Sequence, residues 1–151
     1  MNLFSQKKRG IVLFYYRSGI GQVSLEELKE KSSFWGIPFF VCQNEENGCG
    51  DVLFLLVKKK KKSLSELFFS GQQSCLISNA VGSMLCFYLR TKSLKVIDNI
   101  ITNFRLMILG KKNFVLDDAF VDLKVFSDIH KFSHRIDCIN MVLKGLEEAL
   151  G

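Results

Sequence analysis

The chain has one proline in 151 residues, no cysteine pair spaced C-x-x-C and no apolar run longer than six residues. Each absence excludes something. A helix that crosses a bilayer needs roughly 20 consecutive apolar residues, and the stretches Ile11 to Tyr16 and Val52 to Val57 are only strand-sized. The opening MNLFSQKKRGIVLFYYR has its basic cluster too late and its apolar stretch too short for a secretory signal, so a cytoplasmic protein is expected. Cys42, Cys49, Cys75, Cys86 and Cys138 are odd in number and irregularly separated. That argues against a disulfide framework or a locally encoded paired-thiol metal site, and for reduced, mostly buried thiols. No serine lies in G-x-S-x-G, and Gly19-Ile20-Gly21-Gln22-Val23-Ser24 has a serine where a dinucleotide fingerprint needs its third glycine. That stretch reads as a tight turn into a helix cap. No enzyme and no cofactor are expected.

What is present is core material and unevenly placed charge. With 48% hydrophobic residues and 14 phenylalanines, the chain can build the core of one globular domain. The formal net charge is +6, and five of those charges are the run Lys58, Lys59, Lys60, Lys61 and Lys62. Adjacent ammonium groups repel one another and stay hydrated, so the plain reading is a solvated loop that discourages edge pairing by neighbouring strands. The functional alternative is a small basic nucleic-acid-binding domain using that loop, with Lys7 to Arg9 or Lys111 and Lys112 as a second basic element.

The expected fold class is α+β, an antiparallel sheet with helices packed on it in a single domain. Residues 1–23 are expected to form an N-terminal strand, RGIVLFYYR, and a turn; residues 24–151 form the α+β domain. Ser24-Leu25-Glu26-Glu27 is a capping box opening a helix to about Trp35, which Gly36 stops. IPFFVC and DVLFLLV read as strands joined by the turn NEENGCG. Ser63-Leu64-Ser65-Glu66 opens either a helix or another short strand. QSCLISNAVG looks extended, and SMLCFYLR is ambiguous between strand and helix. Ser93 caps an amphipathic helix with Ile97, Ile100, Ile101, Phe104 and Ile108 on one stripe. NFVL and AFVDLKVF alternate on either side of Asp117-Asp118, which predicts a hairpin that puts Phe114, Leu116, Ala119, Val121, Leu123 and Val125 on one face. A last helix has the stripe Ile129, Phe132, Ile136, Ile139, Leu143, Leu146 and Leu150.

On that last helix His130, His134 and Cys138 fall at i, i+4 and i+8. Two histidines four apart can share a metal, but a third ligand two turns along is about 12 Å from the first, and the glutamate of H-E-x-x-H is missing. No metal site is expected. Gly145, inside the same helix, is explained by close approach of another helix or subunit, or by chance.

From SLEELKEKSSFWGI onward, the order helix, strands, SLKVIDNIITNF helix, hairpin and C-terminal helix resembles the class I chaperones of type III secretion, the family typified by the Tir chaperone. The likeness covers about residues 24–150. It implies a non-enzymatic homodimer that binds an extended segment of a secreted effector protein. Pairing would run through the second helix, with Phe104, Leu106 and Leu109 at the dimer interface; Leu106 and Leu109 lie off the core stripe of that helix. Phe39, Phe40 and Val41, on an exposed strand, would accept the client by strand addition.

Overall fold

The computed structural model describes residues 4–43 and 51–151. The turn expected at NEENGCG, and Cys49 within it, lie outside the described residues. The first element, α1 (Gln6–Ser18), corrects the expected N-terminal strand. Ser5 accepts a hydrogen bond from the Lys8 backbone N–H at 3.3 Å, and Gly19 closes the helix at φ 57°. Val12 and Tyr15, three apart, are buried, while Phe14 and Tyr16 face outward. A short apolar run without alternation fits a helix as well as a strand, and the serine cap with the three-residue spacing of buried groups decides for the helix.

The capping box behaves as expected. Ser24 accepts from the Glu27 N–H at 3.1 Å to open α2 (Leu25–Trp35), and Gly36 ends it at φ 66°. Three antiparallel strands follow: β1 (Phe40–Gln43), β2 (Val52–Lys60) and β3 (Ser63–Gln73), in spatial order β1-β2-β3. The register sets Phe40 opposite Leu55, and Leu55 opposite Phe69. Residues 63–66, left open between helix and strand, are thus strand. The lysine run is not a loop. Lys58, Lys59 and Lys60 continue β2, and Lys61 and Lys62 form the two-residue turn, with Lys61 at φ 58°.

Residues 76–89, expected to be extended and then ambiguous, form one helix, α3 (Leu76–Leu89). It is buried on nearly every side, between α1, α5 and β3, so it lacks the polar face that makes a helix legible. The expected amphipathic helix is present as α4 (Leu94–Ile108), with all five stripe residues buried. The expected hairpin is absent. Residues 118–126 form short 3-10 turns instead, begun by the Asp117 carboxylate, which accepts from the Ala119 N–H at 2.8 Å. That capping bond commits the chain to helical turns where a hairpin needs a partner strand. Leu116, Leu123 and Val125 are still buried, but Ala119 and Val121 are exposed.

The C-terminal helix, α5 (Ser133–Leu150), packs against α3, β1 and β2. Gly145 is explained within the subunit, because a Cβ there would collide with the Cys42 sulfur of β1. The architecture is the expected α+β, with an antiparallel sheet and helices packed on it. Among the described residues, no helix is long and apolar enough to cross a membrane.

Candidate metal centre

Three chain segments converge at one end of the sheet. Asp51 immediately precedes β2, Cys75 is the N-cap of α3, and Cys138 sits on the inner face of α5. One ligand atom from each lies within 4.8 Å of the other two. Tetrahedral coordination at metal bonds of about 2.0–2.3 Å needs donor atoms roughly 3.3–3.8 Å apart, so a contraction of about 1 Å would let all three hold one cation. The donor set, two thiols and a carboxylate, suits zinc or iron rather than magnesium or calcium.

The local electrostatics favour the same role. Cys75 takes hydrogen bonds that lower its thiol from the ordinary range: the largest comes from Cys138, with Ser78 adding more against the opposing effect of burial. Its sulfur lies 3.5 Å from the Ser78 backbone N–H at the start of α3, a position that favours a thiolate. Cys138 moves the opposite way, because its S–H is given to Cys75 and because it is buried near Asp51. The two thiols are thus biased in opposite directions, Cys75 toward the thiolate and Cys138 toward the thiol. Asp51 is only 8% exposed, and among the described residues it enters no ion pair; the Ser78 hydroxyl reaches its Oδ2 at 3.4 Å. A buried carboxylate beside a thiolate, without a basic partner, is a site that a divalent cation would neutralise.

The remaining described cysteines are unlike these. Burial pushes the Cys42 and Cys86 thiols up to about 12, which leaves them inert side chains of the core. Asn79 fixes the loop that carries Cys75: its side-chain nitrogen lies 2.9 Å from the Cys75 carbonyl and 3.0 Å from that of Gly71.

The face expected for His130, His134 and Cys138 does not form. His130 lies in a 3-10 turn before α5 begins, its Nδ1 3.1 Å from the Ser127 carbonyl, and both histidines are exposed while Cys138 is buried. Phe104 is fully buried inside the subunit against Phe126, Leu106 is half-buried, and Leu109 is exposed. Phe39 and Phe40 are half-buried, with Phe39 edge-on to Phe54, and Val41 is exposed on β1. Of the lysines, Lys58 lies 4.6 Å over the Trp35 ring and Lys59 donates to the Leu150 carbonyl at 3.1 Å; Lys60, Lys61 and Lys62 are exposed. Sequence reasoning missed Asp51 and Cys75, and it considered Cys138 only with the histidines. The available signal was Cys75-Leu76-Ile77-Ser78, a capping sequence written with cysteine in the place of serine.

No protein-family model matches the chain. It is 28% identical over 102 residues to the iron-sulfur cluster assembly scaffold protein IscU of Streptococcus pyogenes serotype M1, a match covering 68% of this chain and 63% of that protein's length. Among solved structures, one described only as a hypothetical protein superposes with a TM-score of 0.77 at 22% identity, over 95% of this chain and 96% of its own. FiSufU of the thermophile Fervidobacterium islandicum AW-1, named as a candidate iron-sulfur cluster assembly scaffold for the SUF system, gives 0.69 at 20%, over 98% and 96% of the two chains. The N-terminal part of a nitrogen-fixing NifU-like protein from Brucella abortus gives 0.66 at 13%, over 93% and 89%. These likenesses overturn the resemblance to type III secretion chaperones, and with it the effector-chaperone and nucleic-acid readings. The missing hairpin gives the physical reason, since the chaperone order requires two strands where this chain makes 3-10 turns.

Proposed function

We propose that this protein is a scaffold on which an iron-sulfur cluster, or the iron for one, is held as cargo by Asp51, Cys75 and Cys138. The convergence of these three donor atoms within 4.8 Å carries the reading. Two relatives named as cluster assembly scaffolds, one by sequence and one by fold, support it.

The chemistry follows from the donors. Cys75, whose thiol is lowered by the hydrogen bonds it receives, is the donor best prepared to bind ferrous iron. Cys138 must give up its proton to bind, so uptake releases a proton and weakens as the pH falls. Asp51 supplies a hard oxygen donor, which exchanges more readily than a third thiolate and leaves a labile corner from which cargo can be passed on. Nothing in this role requires turnover of a small substrate, so the protein is read as a carrier rather than an enzyme. Its partners would be cytoplasmic proteins that deliver sulfur and accept the finished cluster.

Anaerobic reconstitution with ferrous iron and sulfide tests this. The wild-type protein should retain both, with visible sulfur-to-iron charge-transfer absorption. Cys75→Ser and Cys138→Ser should lose most of it, and Asp51→Ala should bind cargo but alter its rate of transfer to an apo acceptor protein. Equal loading of Cys75→Ser and wild type would refute the assignment.

A further inference from the structure

Ser78 is in hydrogen-bond contact with all three donor residues of this centre. It is completely buried, in the first turn of α3. Its hydroxyl lies 3.4 Å from Asp51 Oδ2, 3.3 Å from the Cys138 carbonyl oxygen and 3.4 Å from the Cys75 sulfur, and its backbone N–H points to that same sulfur. An O–H to oxygen bond at its optimum measures roughly 2.7–2.8 Å, so these are long contacts that place the hydroxyl between several acceptors. Ser78 thus touches all three segments that bring the donors together: the start of β2, the cap of α3 and the middle of α5.

We propose that Ser78 is the positioning residue of the centre, its hydroxyl keeping Asp51, Cys75 and Cys138 gathered, a contraction short of ligating separation, before a cation arrives. The proposal rests on reading those three residues as a cation site. In the metal-free protein the Asp51 and Cys75 side chains come together with no cation between them. A neutral hydroxyl between them offers a proton to either without adding charge. With a cation bound, the Ser78 hydroxyl would remain a hydrogen-bond donor to Asp51 or to the Cys138 carbonyl. This is the part that hydrogen-bonding neighbours of metal ligands play, and removing one typically costs about 10–100-fold in affinity.

The test uses cobalt(II) as a spectroscopic stand-in for iron, on the full chain under anaerobic conditions. Ser78→Ala should bind cobalt(II) about 10–100-fold more weakly than wild type, with weakened sulfur-to-cobalt charge-transfer bands, and Ser78→Thr should restore much of both. A cycle with Asp51→Ala separates positioning from packing: once Asp51 is gone, Ser78→Ala should lose far less affinity. Additive losses, or wild-type affinity and spectrum in Ser78→Ala, would overturn the proposal. If wild type itself binds no cobalt(II), the metal-centre reading fails instead. The same cycle, read as unfolding midpoints in the presence of chelator, then decides Ser78 by itself: coupling to Asp51 upholds the positioning role and additivity rejects it.

Discussion

Cys75, Cys42 and Cys86 are the same residue type with opposite chemistry, and the difference lies in what surrounds each sulfur. Cys75 receives hydrogen bonds at a helix start, whereas Cys42 and Cys86 are enclosed by apolar core. Limited alkylation of the native, metal-free protein, followed by peptide mass spectrometry, should modify Cys75 first and keep doing so below the ordinary thiol range of about 8.5. Cys42 and Cys86 should react only on unfolding. Gly145 is defined just as locally. Gly145→Ala forces a methyl into the Cys42 sulfur and should destabilise the fold by about 1–3 kcal/mol in denaturant titrations. Adding Cys42→Ala should recover part of that loss; no recovery would mean the strain lies elsewhere.

Among the elements, α1 is held to the body by a buried polar link. The Tyr15 hydroxyl donates to Asp122 at 2.5 Å, joining α1 to the 3-10 segment, and burial followed by that bond raises the Tyr15 phenol above its ordinary value. Tyr15→Phe removes the donor and should cost about 1–2 kcal/mol, read as a lowered midpoint in denaturant, because the carboxylate loses its partner. Asp117→Ala should cost about 1 kcal/mol by removing the cap of the 3-10 turns. The elements legible in the sequence were those announced by their own caps and faces. Ser24 and Ser93 each accept from a backbone N–H three residues on, and the α4 stripe is buried as written. Three segments were misread for physical reasons: the short apolar run of α1 has no alternation and fits helix or strand equally. Helix α3 is buried on nearly every side and shows no polar face, and residues 118–126 alternate like a strand although the Asp117 cap turns them helical. The centre was illegible because its donors are far apart in the sequence and meet only once α3 and α5 pack together, and α3 was the helix missed.

For the molecule as a whole, the sheet and α5 serve to bring the start of β2, the cap of α3 and one turn of α5 to a single point. The lysine run, prominent in the sequence, is spent on structure as much as on solubility: Lys58 covers Trp35 and Lys59 binds the last carbonyl of the α5 helix. Because the Cys138 proton must leave on binding, iron affinity should fall steadily as the pH is lowered, as measured by competition with a chelator. The central claim, that Asp51, Cys75 and Cys138 bind one cation together, is tested most directly by iron-edge X-ray absorption of the anaerobically loaded protein. The expected result is a sulfur shell at about 2.3 Å with an oxygen neighbour, the sulfur shell diminished in Cys75→Ser and the oxygen lost in Asp51→Ala. A shell of oxygen and nitrogen alone, unchanged by either substitution, would contradict it.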